Sequence, residues 1–349
     1  MIKVVLDAMG GDLAPQSNLA GARLAVERGI ARPEQIVLAG PRALIAAQWA
    51  ALGTAGTSGG PSSEGADPGE LPFVVEDAPD VLTCDESPVD GLRRKPQNSI
   101  SVGIQAVAEQ RAAAFISAGS TGAVAAVAGL SLPRLEGIRR PGIAVTINGE
   151  GGAPFVVLDV GANPQPKAID LLHYGIMGSA YAKGVLRIEK PRVGVLSIGS
   201  EETKGNPLTR EAAQLLRQSP VHFIGNVEGT DLFSARCDVV VCDGFTGNVL
   251  LKVSEGVAEY FMRTTYAFMK EAALDPAGMK TVLGRLHQRV DYAEYGGAQL
   301  LGVDGIVTIC HGRSDAPAIC NAIRFALRSA DARVNEHIVA AARASAAPS

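Results

Sequence analysis

Residues 2–12 read IKVVLDAMGGD and give the first indication of the fold class. A short run of apolar and β-branched side chains passes directly into a turn that contains two glycines and two aspartates. A buried strand that leads at once into a glycine-rich turn is typical of parallel α/β sheets, in which a crossover helix follows each strand. The question for the rest of the chain is whether this unit recurs.

Ten short strand candidates alternate with longer segments of helical apolar spacing. This alternation predicts an α/β fold with a doubly wound, mostly parallel sheet and helices on both faces. We expect one α/β catalytic domain over residues 1–349, or two closely joined lobes. The strand candidates are Lys3–Leu6, Gln35–Leu38, Phe73–Glu76, Ala114–Ser117, Ile143–Ile147, Phe155–Asp159, Val193–Ile198, His222–Ile224, Val239–Cys242 and Gly305–Ile309.

Three segments depart from the alternation. Residues 53–69 are rich in Gly, Ser and Pro, which predicts a flexible surface insertion. Residues 254–290 contain two helix-like runs joined around Asp275 and Pro276, which predicts a helical hairpin projecting from the sheet. Its apolar side chains suit either a dimer interface or a surface that faces an acyl chain or a membrane. The Ala-rich segment after Ser314 predicts a packed helix near the C-terminus.

Composition excludes several classes of function. Lys and Arg total 32 against 36 Asp and Glu, a net charge of -4, so we expect no nucleic-acid partner. Neither the five cysteines nor the five histidines have metal-ligand spacing, so we expect reduced thiols and no metal. No signal peptide or bilayer-spanning run is recognisable, which predicts a cytoplasmic protein with at most peripheral membrane contact.

Five of the predicted strands lead into loops of glycine and small polar residues. Such loops lie together at the carboxyl edge of a parallel sheet, so they can converge on one site. Glycine permits close backbone approach and a following helix offers unpaired N–H groups, so these turns suit phosphate. Ordinary turn and N-cap preferences are the better explanation of a single loop, but five loops together favour a ligand site. The loops span residues 7–12, 117–122, 159–163, 197–206 and 243–248.

Common nucleotide and nucleophile motifs do not occur where they would be functional. No GxGxxG follows the first strand, the chain contains no GxxxxGK[ST] P-loop, and no GxSxG elbow follows a predicted strand. These absences disfavour a standard dinucleotide site, a P-loop and a covalent serine mechanism.

Seven sequence blocks occur together and in order: DAMGGD (7–12), SAGSTGA (117–123), LDVGAN (158–163), IGSEETKGN (198–206), GNVEG (225–229), DGFTGNVLLKVSEG (243–256) and YGGAQLLGV (295–303). In these blocks the chain resembles the PlsX family, the bacterial phosphate acyltransferases of phospholipid synthesis. Two departures are Ser120, where the family usually has Asn, and residues 53–69, which have no counterpart in most members.

The resemblance implies a fold like that of isocitrate and isopropylmalate dehydrogenases and phosphotransacetylases. It also implies transfer of a fatty acyl group from acyl-[acyl-carrier protein] to inorganic phosphate, without a cofactor. A phosphate oxygen would attack the thioester and expel a thiolate, a tolerable leaving group because a thiol pKa is about 8.5. The implied partners are a second copy of the chain, the membrane surface and a glycerol-3-phosphate acyltransferase that receives the acyl phosphate.

Lys204 is the first candidate for the cation that holds phosphate. Asn248 is the candidate for a group that orients the phosphate or donates a hydrogen bond to the tetrahedral oxyanion. A solvated loop lysine and an N-capping asparagine are the alternatives. For Asp159, Asn163 and Asp243, hydrogen bonds that shape the loops are an equally good explanation. The predicted phosphate- or substrate-binding residues are Gly10, Gly11, Asp12, Gly119, Ser120, Thr121, Gly122, Asp159, Gly161, Asn163, Asn206, Asp243 and Gly247.

Two other functions remain open at this point. A metal- and NAD-dependent dehydrogenase on the related fold would need a carboxylate cluster and an arginine-rich clamp, and neither is recognisable. A regulatory protein that binds phosphate or acyl phosphate without turnover would use the same loops, and the sequence does not separate it from the enzyme.

Overall fold

The structure, a computed structural model, describes residues 1–55, 70–82, 88–290 and 292–346. The chain divides into two compact units. The first unit comprises Met1–Arg134 and Tyr295–Asn335, and the second comprises Leu135–Glu294 and the chain from Glu336 onward. The predicted insertion at residues 53–69 lies outside the described residues, except that residues 53–55 belong to a helix.

The first unit is an α/β layer of six strands and six helices among its described residues. Its elements are β1 (Val4–Asp7), α1 (Gln16–Glu27), β2 (Ile36–Gly40), α2 (Arg42–Ala55), β3 (Val74–Asp77), α3 (Pro88–Arg94), α4 (Ser99–Ala108), β4 (Ala114–Ser117), α5 (Thr121–Ser131), β10 (Ala298–Leu301), β11 (Ile306–Ile309) and α10 (Ala316–Asp331). The strand order is β3-β2-β1-β4-β11-β10, and all neighbours are parallel except β10 and β11.

Helices cover both faces of the first unit's sheet, and β4 shows why. Phe115 faces α4, since a Cβ added to Gly103 would lie 2.3 Å from the Phe115 ring. The adjacent Ile116 belongs to a core with Ile319 of α10 on the opposite face. Successive strand side chains point to opposite faces, so a strand that is buried at every position requires a helix on each side.

The second unit contains the other strands and helices. Its elements are β5 (Gly142–Asn148), β6 (Pro154–Leu158), α6 (Ala168–Gly184), β7 (Arg192–Leu196), α7 (Pro207–Arg217), β8 (His222–Val227), β9 (Val239–Val241), α8 (Gly244–Glu271), α9 (Pro276–Val290) and α11, which starts at the unit boundary (Val334–Ala346). The strand order is β5-β6-β9-β7-β8, parallel except for β5 and β6. A Cβ on Gly178 would lie 2.5 Å from Val239 Cγ1, so α6 packs closely on β9.

The fold prediction is confirmed, with local differences. All ten predicted strands are present, nine of them within two residues of their expected ends; β8 continues three residues beyond the predicted end, and the sheet is mostly parallel. The strand β10 was not predicted, because its sequence AQLL is only four residues long and contains no β-branched residue.

The helical hairpin consists of α8 and α9, but its first helix begins at Gly244, ten residues before the predicted start. From its first turn onward, α8 exposes an apolar side chain at every fourth position, and residues four apart are neighbours on the surface of a helix. These residues are Phe245, Val249, Val253, Val257 and Phe261, and we call them the α8 stripe. Among the described residues, no helix has the length and apolarity that crossing a bilayer requires.

Candidate functional site

Three parallel strands of the first unit end side by side. Ser117, the last residue of β4, pairs with Ile309 of β11, and Ile116 pairs with Leu6 of β1. The segments that follow these strands, residues 7–12, 117–122 and 310–315, therefore leave the same edge of the sheet. We call them the first loop cluster.

Asp7 is the centre of the first loop cluster. Its carboxylate accepts hydrogen bonds from the backbone N–H of Met9 (2.9 Å) and Gly10 (3.0 Å) and from Ser117 Oγ (2.7 Å). Ser117 Oγ in turn accepts the N–H of Gly119 (2.9 Å). Burial raises the pKa of Asp7, and these hydrogen bonds together with one from Ser99 oppose the rise. The pair of Asp7 and Ser117 therefore joins the first two loops.

The predicted glycines of this cluster are required by close packing. A Cβ on Gly10 would lie 2.5 Å from Asp7 Oδ2 and 2.6 Å from the nitrogen of Gly119. Gly11 has a φ of 101°, in the left-handed region that favours glycine. These positions bring loop backbones into contact, which a side chain would prevent.

Asn18, which the sequence did not indicate as a site residue, holds the loop of residues 7–12 in place. Asn18 of α1 is fully buried, and its Nδ2 donates to the carbonyl oxygens of Asp7 (3.1 Å), Ala8 (3.1 Å) and Gly10 (2.9 Å). An isolated asparagine in a helix gives no sequence signal for this role. Asp7 and Ser117 did give one, because each is a polar residue at the end of a buried strand.

The start of α5 presents the exposed part of the cluster. Ser120, Thr121 and Gly122 are exposed, and the side chain of Ser120 makes no capping hydrogen bond. The positive end of the helix dipole and the first amide groups of α5 lie here. Such an end favours an anion. Asp12 is also exposed, and its N–H donates to the carbonyl oxygen of Gly312 (2.7 Å).

Three parallel strands of the second unit also end together. Leu158 of β6 and Val195 of β7 both pair with Val241 of β9. The segments after these strands, residues 159–163, 197–206 and 243–248, form the second loop cluster. It contains both predicted catalytic residues, Lys204 and Asn248.

Asp159 organises the second cluster. The fully buried carboxylate accepts the backbone N–H of Gly161 (3.1 Å), Ala162 (2.9 Å), Asn163 (2.7 Å) and, from the neighbouring strand, Ile143 (3.0 Å). These bonds wrap the loop around the carboxylate. The contacts of Asp159 are therefore those of a structural residue, the alternative that the sequence left open.

Asn163 connects this loop to its neighbours. Its Nδ2 donates to the carbonyl oxygen of Pro141 (2.7 Å), and its own carbonyl oxygen accepts the N–H of Gly244 (2.9 Å). Asn163 Oδ1 lies 3.4 Å from a guanidinium nitrogen of Arg140. Asn163 thus holds the start of α8 against the Asp159 loop.

The expectation that residues 243–248 form a loop was wrong, because only Asp243 precedes the helix. Asp243 is the N-cap of α8, and its carboxylate accepts the N–H (2.9 Å) and the hydroxyl (2.7 Å) of Thr246. Gly247 lies in the first turn, where an added Cβ would be only 1.9 Å from the Asp159 carbonyl oxygen. Asn248 is exposed in the helix and does not cap it, and its Oδ1 lies 4.0 Å from the Cβ position of Gly161.

Lys204 lies on the long loop after β7. It is exposed, and its N–H donates to the carbonyl oxygen of Glu201 (3.0 Å). Asn226 of β8, a second residue that sequence reasoning missed, donates from Nδ2 to the same oxygen (2.8 Å). Asn206 is the N-cap of α7 and accepts the N–H of Thr209 (2.9 Å). Its observed contacts are therefore structural.

The predicted residues thus fall into two clusters, one in each unit. The first contains Gly10, Gly11, Asp12, Gly119, Ser120, Thr121 and Gly122, and the second contains Asp159, Gly161, Asn163, Lys204, Asn206, Asp243, Gly247 and Asn248. That all five loops converge on one site stays a prediction.

Comparison with known proteins identifies the family. The family model described as "Fatty acid synthesis protein" matches residues 2–337. The phosphate acyltransferase of Pelotomaculum thermopropionicum is 43% identical over 340 residues, which cover 97% of this chain and 94% of that protein. The phosphate acyltransferase of Heliobacterium modesticaldum is 44% identical over 346 residues, with 97% and 98% covered.

Solved structures extend the likeness of fold. A phosphotransacetylase from Streptococcus pyogenes superimposes with a TM-score of 0.60 at 14% identity, covering 95% of this chain and 94% of its own. A putative 4-hydroxythreonine-4-phosphate dehydrogenase from Salmonella typhimurium gives 0.54 at 13% identity, covering 94% and 99%. These likenesses confirm the α/β fold alone. Since the family model and the relatives cover nearly the whole chain, it belongs to the phosphate acyltransferase family, enzymes of fatty acid and phospholipid synthesis.

Proposed function

We propose that the protein transfers a long-chain fatty acyl group from acyl-[acyl-carrier protein] to inorganic phosphate. Membership of the phosphate acyltransferase family supports this proposal most strongly. The product, an acyl phosphate, would pass to a glycerol-3-phosphate acyltransferase for phosphatidic acid synthesis.

The reaction needs positioning and charge stabilisation rather than a covalent enzyme intermediate. An oxygen of hydrogen phosphate attacks the thioester carbonyl carbon and forms a C–O bond, giving a tetrahedral oxyanion. The C–S bond then breaks, and the thiolate takes the proton of the phosphate hydroxyl, leaving acyl phosphate and free carrier thiol. Preorganised donors that bind the oxyanion supply most of the rate acceleration in such reactions.

Lys204 and Asn248 are the proposed catalytic residues of the second cluster. Both are exposed at the carboxyl edge of adjacent strands. Among the described residues, neither side chain forms a structural hydrogen bond like those of Asp159, Asn206 or Asp243. In this proposal Lys204 holds the phosphate, and Asn248 donates its amide N–H to the phosphate or the oxyanion. In the first cluster, the start of α5 supplies backbone N–H groups to an anion.

The experiment measures free thiol released from palmitoyl-[acyl-carrier protein] with and without inorganic phosphate. We expect release that depends on phosphate in the unaltered protein and is strongly reduced in Lys204→Ala and Asn248→Ala. Lys190→Ala is the matched control, because Lys190 is an exposed lysine just before β7, at the other end of the same strand. Phosphate binding without any thiol release would instead support a regulatory binding protein.

The exposed apolar side chains of the α8–α9 hairpin support a proposal about how the protein assembles. The α8 stripe is exposed, with Phe245 at 67% and Phe261 at 59%, and apolar rows of this kind mark interaction surfaces. We propose that a second copy of the chain covers the stripe in a homodimer. Val253→Glu combined with Val257→Glu should then shift the mass measured by light scattering from dimer to monomer, and an unchanged mass would contradict the dimer proposal.

The far end of the hairpin suits contact with a membrane or with an acyl chain. Between α8 and α9 lies an open, mainly apolar groove of about 720 Å³, lined by Met262, Tyr266, Leu274, Met279 and Leu283 and flanked by Lys270 and Lys280. Apolar side chains bordered by lysines are typical of peripheral contact with anionic lipid. We propose a cytoplasmic protein that touches the membrane here. Leu274→Asp should reduce its flotation with anionic vesicles, and undiminished flotation would exclude this contact.

A further inference from the structure

A third loop of the first cluster was not among the predicted site segments. Residues 310–315 follow β11, and the N–H of Cys310 donates to the carbonyl oxygen of Ser117 (2.8 Å). The loop therefore starts beside the segment that leads into α5.

This third loop also touches the first. The Gly312 carbonyl oxygen accepts the N–H of Asp12 and would lie 2.9 Å from a Cβ on Gly11. The Asp12 carboxylate lies within about 4 Å of the Cβ position of Gly312. Residues 310–313 therefore lie against the first loop and belong to the same cluster.

Arg313 is the only lysine or arginine in the three loops of the first cluster, residues 7–12, 117–122 and 310–315. The same loops carry three aspartates, Asp7, Asp12 and Asp315. The Asp7 carboxylate accepts backbone N–H groups of its own loop. Asp315 caps α10 by accepting the N–H of Ala318 (3.0 Å). Within these three loops, Arg313 is therefore the one permanent positive charge that could face a bound anion.

The side chain of Arg313 is available while its backbone is fixed. It is exposed and, within the described part of the chain, forms no hydrogen bond or ion pair through its guanidinium group. Its N–H donates to His311 Nδ1 (3.1 Å), and the N–H of Ser314 donates to the His311 carbonyl oxygen (2.9 Å). Because Nδ1 accepts, a neutral His311 carries its proton on Nε2. His311 therefore sets the conformation of the turn from which the guanidinium extends.

We propose that Arg313 is a substrate-binding residue that recognises a phosphate oxyanion at the first loop cluster, with His311 as its positioning residue. The inference rests on the proposed function and adds a cation in the first unit to Lys204 in the second. The planar guanidinium offers paired N–H donors that match two phosphate oxygens. The ligand is either inorganic phosphate or the phosphodiester of the carrier's pantetheine arm.

The test compares Arg313→Gln with Arg32→Gln in steady-state kinetics, varying inorganic phosphate and acyl-[acyl-carrier protein] separately. Arg32 is a matched control, because it is an exposed arginine of the same unit that lies before β2, at the opposite edge of the sheet. Loss of a charged hydrogen bond predicts a roughly 10- to 100-fold rise in one KM, with a smaller change in kcat. Arg313→Lys should recover part of the loss.

The two ligand sources give different results. A raised KM for phosphate alone assigns Arg313 to inorganic phosphate, and a raised KM for the carrier substrate alone assigns it to the phosphodiester. If both KM values match those of the Arg32→Gln control, the inference is wrong.

Direct binding separates this inference from the proposed function. Calorimetric titration with inorganic phosphate and with phosphopantetheine requires no turnover. If the unaltered protein binds either ligand without catalysis, the reaction is refuted, while weaker binding by Arg313→Gln still supports the role of Arg313. If the variant binds both ligands as tightly as the unaltered protein, or if neither ligand binds the unaltered protein, Arg313 has no such role.

Discussion

Replacing Gly247 with alanine tests the contact between the start of α8 and the Asp159 loop. The added Cβ would lie 1.9 Å from the Asp159 carbonyl oxygen, whereas ordinary contacts begin at 3.4 Å. The helix would have to retreat by 3.4 - 1.9 = 1.5 Å, and this movement would strain the 2.9 Å bond from Gly244 to Asn163.

The magnitude follows from three contributions. Overpacking costs about 1–3 kcal/mol or more, and loss of one hydrogen bond costs about 1 kcal/mol. Alanine in a helix recovers about 1 kcal/mol relative to glycine. We therefore expect Gly247→Ala to lower the free energy of unfolding by about 2 kcal/mol. Gly256→Ala is the control, because Gly256 lies in the same helix with nothing within 4 Å of its Cβ position, and it should stabilise by about 1 kcal/mol.

Urea denaturation of both variants, followed by circular dichroism, measures the difference. The midpoints should move in opposite directions, and acyl transfer should fall only in Gly247→Ala because that change displaces Asn248. A Gly247→Ala protein as stable and active as Gly256→Ala would refute the proposed close packing of α8 on the Asp159 loop.

Three further predictions concern other side chains. Asp159→Asn should lower the urea midpoint by an amount equivalent to about 2–3 kcal/mol, because an amide NH2 would face backbone N–H donors; an unchanged midpoint would contradict the structural role. Asp243→Asn should keep stability and activity, whereas Asp243→Ala should lose about 1 kcal/mol in the same measurement; an inactive but stable Asn variant would make Asp243 a substrate-binding residue. Burial lowers the pKa of His173 below its usual value of 6.5, and its Nδ1 accepts the N–H of Arg139. As the pH falls below 6.5, this histidine therefore binds a proton more readily in the unfolded chain than in the folded protein. Stability from this group is present above pH 6.5 and falls as the pH drops towards the lowered pKa; unfolding measured at several pH values should show this slope, and His173→Gln should remove it.

Much of the fold was predictable because the strands are buried on both faces. Val4, Val5 and Leu6 are all inaccessible to solvent, so β1 appears in the sequence as a continuous apolar run. The strand β10 escaped prediction because it pairs with β11 as a short antiparallel hairpin after Gly296 and Gly297, which resembles a loop in the sequence.

The candidate site was only partly predictable, since loop positions follow from strand ends but side-chain roles depend on distant contacts. Ser117 bonds Asp7 across 110 positions of the chain, and no local pattern contains this pairing. The glycine at position 247 favours a loop in a reading of the sequence, yet the residue lies in α8. It is glycine because no side chain fits beside the Asp159 carbonyl oxygen. Asn206 and Asp243 illustrate the converse, since cap residues and ligand-binding residues have the same side chains.

The most direct test of the central claim follows the phosphate itself. Palmitoyl-[acyl-carrier protein] is incubated with the protein and ³²P-labelled inorganic phosphate, and labelled acyl phosphate is counted against free carrier thiol. Our account predicts one labelled acyl phosphate for each thiol released, and neither product when phosphate is omitted. Thiol release at the same rate without phosphate, with free fatty acid as the product, would mean that water is the acceptor and would contradict the account.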